Sequence, residues 1–86
     1  MMKNQAIEQI KAVKARYETK LMGLANVVGV AVGFKYKDGQ LTDELAVVVN
    51  VIQKKPLAEL AKRDIVPVEL DGVPTDVQEV GQIKAL

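Results

Sequence analysis

The chain has 86 residues, 49% of them hydrophobic and 27% charged, with a formal net charge of +1. That is room for one small domain, residues 1–86, and too apolar a composition for intrinsic disorder. It holds no Cys, His or Ser, which excludes thiol and Ser-His catalysis, imidazole acid/base chemistry, disulfides and Cys/His zinc sites.

The polar helical pattern after Met1-Met2-Lys3-Asn4 lacks the apolar core of a secretory signal, and no apolar run reaches the roughly 18 residues of a membrane span, so cytoplasmic residence is expected. Over residues 4 to 24, Ile7, Ile10, Val13, Tyr17, Leu21 and Leu24 recur at steps of three and four, which predicts a helix with Asn4 as N-cap and Gly23 as its stop. Glu8, Lys11, Lys14, Glu18 and Lys20 form its wet face. From Asn26 the period drops to two. One side of this strand is bulky (Val28, Val30, Val32, Phe34, Tyr36) and the other nearly bare (Val27, Gly29, Ala31, Gly33, Lys35), so the helix is expected to lie on the bare side. A turn at Asp38-Gly39 leads to a second strand, Glu44 to Gln53, apolar on both faces and therefore central or covered by another subunit. Pro56 opens a short helix carrying Leu57, Leu60 and Ala61 inward. Residues 66–77 read as a hairpin about a type I′ Asp71-Gly72 turn, with Pro67 and Pro74 placing one of its strands at an edge. The expected fold is α+β: a long N-terminal helix and a short helix packed on a four-stranded, mostly antiparallel sheet, in the order α-β-β-α-β-β.

Candidate sites are few. Gly29-x-x-x-Gly33 before Lys35 has the glycines of a phosphate loop but sits inside a strand, where packing explains it better. The carboxylates Asp38, Asp43, Glu44, Asp64, Asp71 and Asp76 fall in turns or at polar strand positions without metal-ligand spacing, so no metal, cofactor or catalytic residue is assigned. Lys3, Lys11, Lys14, Arg16 and Lys20 could meet phosphates, but Glu8 and Glu18 interrupt them, and the aromatics are only Tyr17, Phe34 and Tyr36. Nucleic-acid binding through the helix is the weakest of three readings. Self-association has more behind it: both strands are β-branched and low in charge, and residues 1–37 hold 7 basic and 2 acidic side chains against 5 and 9 in residues 38–86. The candidate interface is Val47, Val49, Asn50, Val51, Phe34 and Tyr36.

The run Asn26-Val-Val-Gly-Val-Ala-Val-Gly-Phe-Lys35, the Lys54-Lys55-Pro stop and Asp71-Gly-Val-Pro-Thr-Asp-Val77 together resemble, over residues 20 to 81, the region ahead of the catalytic domain in some bacterial trypsin-like serine peptidase proteins. No catalytic residue carries over. The resemblance implies a non-catalytic accessory module that docks on a separately encoded partner, in the manner of a detached prodomain of a peptidase. The alternative drawn from the residues is a self-assembling protein, a homo-oligomer or filament.

Overall fold

A computed structural model describes residues 2–81 of the chain, apart from the side chains of residues 2–6 and of Leu57. Helix α1 spans Met2–Met22, followed by strands β1 (Val27–Lys37) and β2 (Gln40–Val51), two 3₁₀ turns, and the short strand β3 (Glu69–Leu70) hairpinned to β4 (Val73–Glu79). The helix begins earlier than the spacing predicts, so Asn4 lies within its first turns and is not its cap. It stops where expected, with the Gly23 N–H shared between the Thr19 and Lys20 carbonyls at 3.2 Å each.

The sheet order is β1-β2-β4-β3. Strand β2 is central, as its two apolar faces require. The sheet is mixed: β1–β2 and β3–β4 are antiparallel, as expected, but β4 runs parallel to β2 with Val47 beside Thr75 and Val49 beside Val77. The cause is the route of the chain. The segment after β2 skips one strand position to lay down β3, and the tight Asp71-Gly72 turn, with φ of 51° and 83°, folds β4 back into the gap. The short strand falls at the edge, as Pro67 and Pro74 foretell. The short helix expected after Pro56 is replaced by 3₁₀ turns at Leu57–Glu59 and Lys62–Asp64. Extended backbone at Ala61 (φ −64°, ψ 147°) splits the run, and one isolated turn cannot repay the ordering of an α-helical nucleus.

The helix lies on the opposite face of the sheet from the one expected. Ile10, Val13 and Leu21 of α1 pack on Val47, Val49 and Val51 of β2, with Val27, Val30 and Val32 of β1 beside them and Leu70 and Val73 closing the far side. A bulge between Val27 and Gly29 brings Val27 into phase with Val30 and Val32 and leaves Val28 outside. Burying apolar area is worth about 25 cal/mol per Å², so an apolar helix stripe gains more from a valine face than from glycines. The glycines instead make room for β2 side chains: a Cβ on Gly33 would stand 3.2 Å from Val48, and one on Gly29 3.5 Å from the Asn50 amide. On that second face Asp76 and Gln78 of β4 reach over β2 to the curled end of β1. The Asp76 carboxylate accepts from the Tyr36 N–H at 2.9 Å, and the Gln78 amide donates to the Phe34 carbonyl at 3.3 Å. Ala46 and Val48 beneath them are buried although no helix covers them.

Candidate interaction surface

Of the six residues expected at an interface, the structure separates three from the rest. Val47, Val49 and Val51 are buried under α1 within the single chain and are core, not contact residues. Their apolarity is spent on the helix. Asn50 is half-buried on the second face beside Gly29, while Phe34 and Tyr36 are 44% and 48% exposed on β1.

Strand β1 now becomes the feature of interest. It is 11 residues long, it ends the sheet, and from Val27 to Phe34 it carries no charge. Among the described residues no strand pairs with its outer edge, so alternate backbone N–H and C=O groups along it lack a ladder partner. Its core-facing valines show the same incompleteness. Val27, Val30 and Val32 are half-buried, whereas their register partners Val51, Val49 and Val47 are 4%, 0% and 0% exposed. The core therefore ends at β1 with its last row only partly covered.

Two polar devices hold the scaffold behind this edge. Asn26, with φ 76°, ties the start of β1 to the end of β2. Its amide donates to the Gln53 carbonyl, its side-chain oxygen accepts from the Gln53 N–H at 3.1 Å, and its own carbonyl accepts from the Ile52 N–H at 3.0 Å. Sequence reasoning missed this residue; the available signal was an Asn directly before a strand, one of the few residue types besides glycine that readily adopt a left-handed backbone. Asp71 was accounted for by its turn alone, yet its carboxylate also clamps α1, accepting from the Tyr17 hydroxyl at 2.9 Å and pairing with Arg16.

That clamp has a pH signature. The Tyr17 hydrogen bond, aided by Arg16, outweighs desolvation and holds the Asp71 carboxyl below its ordinary value, while the same bond raises the Tyr17 phenol. A depressed carboxyl contributes stability that is full above its unfolded pKa, near 3.8, and is lost as pH falls through its folded one; a raised phenol contributes stability that is full below about 10 and is lost as pH rises through its folded value. Thermal melts from pH 2 to 11 should show a plateau that falls off at both ends. Asp71→Asn should lower the plateau and flatten both flanks, and an unchanged profile would show that the clamp is idle.

The helix's wet face is largely self-paired. Lys11 pairs with Glu8 at 3.8 Å, Lys14 with Glu18 at 2.8 Å, and Arg16 with Asp71, which breaks up any continuous track for phosphates. The side chain of Lys3 lies outside the described residues. No helix among the described residues is long and apolar enough to cross a membrane.

A helix on one face of a small mixed sheet, with one long edge strand unpaired, defines an α+β scaffold whose exposed feature is backbone. The family whose model matches residues 4–80 is the NARROW LEAF 1 N-terminal domain, and the chain belongs to it. This corrects the expected kinship with the region ahead of bacterial trypsin-like peptidases. The motifs behind that likeness are fold-making ones: the left-handed Asn26, the bulge before Gly29 and the Asp71-Gly72 turn. No curated protein matches the chain.

Proposed function

We propose that the domain is a non-catalytic protein-interaction module that works by strand addition at β1, and that its partner strand is β1 of a second copy. The observation that carries this reading is the half-covered row Val27, Val30 and Val32 beside an unpaired, uncharged strand edge. Antiparallel pairing of two β1 strands about a two-fold axis satisfies both sets of edge groups at once and joins two four-stranded sheets into one of eight. The same axis, perpendicular to the sheet, sets the two α1 helices on one side, where they complete the cover over both valine rows. Phe34 and Tyr36 flank the joint.

Sedimentation velocity over a concentration series tests this. The wild-type chain should shift from monomer to dimer as concentration rises, and do so equally in 1 M salt, where the Debye length is about 3 Å and charge-driven contacts are screened while apolar burial is not. Ala31→Lys puts a charge on the edge strand, the device natural sheets use to block edge pairing, and should leave a monomer with an unaltered circular dichroism spectrum. A monomer at every concentration removes the reading. An assembly that dissolves in salt would point instead to head-to-tail contact between the basic and acidic halves of the chain.

A further inference from the structure

At the other edge of the sheet, beside β3, a cleft of about 400 Å³ lies between the last turn of α1 and the 3₁₀ segment. Its floor is aliphatic, built from Leu24, Ile65 and Leu70, and its rim carries Lys20, Lys62 and Arg63. No carboxylate lines it. Among the described residues none of these three cations makes a salt bridge, whereas Lys11, Lys14, Arg16 and Lys37 each face an acid. Three acids next to the lining in the chain are committed elsewhere: Glu18 pairs with Lys14, Asp64 accepts the Ala25 N–H at 3.0 Å, and Asp71 holds Arg16 and Tyr17.

We propose that this cleft is a docking site for an acidic peptide segment with one aliphatic anchor side chain. Complementarity of charge fixes the chemistry. Three unpaired cations call for several carboxylates, which a peptide of Asp and Glu supplies and a single fatty-acid headgroup does not. Tyr17 is the one aromatic residue of the lining and its hydroxyl is held by Asp71, so the cleft offers a nucleic acid no run of stacking platforms, whereas its aliphatic floor fits a leucine-sized anchor, the kind of central apolar contact on which small interfaces depend. The site is separate from the β1 edge and stands or falls independently of it.

The test is fluorescence anisotropy with a fluorescein-labelled Glu-Asp-Leu-Asp-Glu peptide. Saturable binding is expected, weakened at least about tenfold, or roughly 1.4 kcal/mol, by the double change Lys62→Glu and Arg63→Glu, and by a similar factor when the peptide's leucine becomes alanine. On the wild-type chain the peptide should shift the methyl resonances of Leu24, Ile65 and Leu70, a readout that needs no variant to fold. No saturation, equal binding by the alanine peptide, methyl shifts confined to other residues, or binding of oleate or a single-stranded oligonucleotide in place of the peptide would each overturn the proposal.

Discussion

Val49→Asp should abolish folding. Val49 is fully buried in the C-terminal half of β2, between Val30 on one side and Val77 on the other and beneath α1. An unpaired carboxylate at such a position either stays charged at a cost of several kcal/mol or takes up a proton and still strands a polar group. Small domains are stable by about 5–15 kcal/mol in total, so the loss is on the scale of the whole. Val49→Ala removes two methyl groups and leaves a small cavity, so it should cost about 2 kcal/mol and keep a cooperative urea transition. The pair of variants separates charge burial from packing. A wild-type melt for Val49→Asp would mean that β2 is not under the helix.

Deletion of residues 1–22 should be nearly as damaging, by a different route. Ile10, Val13 and Leu21 are what stands between the valine row of β2 and water. Burying a valine or leucine side chain is worth about 1.5–3 kcal/mol, and the deletion forfeits that at several positions while baring a contiguous apolar face. The truncated chain should bind a hydrophobic dye and precipitate through its β-branched strands. A soluble truncated chain that melts cooperatively would show that α1 is a passenger on the sheet.

How far the fold was legible can be followed residue by residue. The helix, the central β2 and the Asp71-Gly72 turn were readable because each is fixed by local chemistry: a spacing of three and four, a two-faced apolar strand, and positive φ at a glycine. The helix was placed on the wrong face because alternation alone does not reveal the bulge between Val27 and Gly29, and because a bare face looks like room for a helix although burial favours the valines. The parallel β2–β4 pairing was invisible for a related reason. It depends on which gap a hairpin fills, a property of the whole chain path and not of any strand's composition.

The burial of the six residues expected at an interface was legible only in part. Phe34, Tyr36 and Asn50 lie outside the helix-covered core, but a strand apolar on both faces points to a partner over Val47, Val49 and Val51 as readily as to the helix that covers them. The signal that matters, an unsatisfied strand edge, is made of backbone groups every residue carries and enters no pattern of side chains.

Hydrogen–deuterium exchange of the β1 amides reads that backbone directly. In dilute solution the alternate amides of Val28 to Lys35 that point away from β2 should exchange fast, as groups with no ladder partner, while their inward neighbours stay protected, as do the Val27 and Tyr36 amides, which donate to the Leu24 carbonyl and the Asp76 carboxylate. Raising the protein concentration should slow the outward set, with the amides of β4 unaffected, because pairing of two β1 edges gives those N–H groups acceptors. Outward amides that exchange equally fast at every concentration would contradict strand addition at β1.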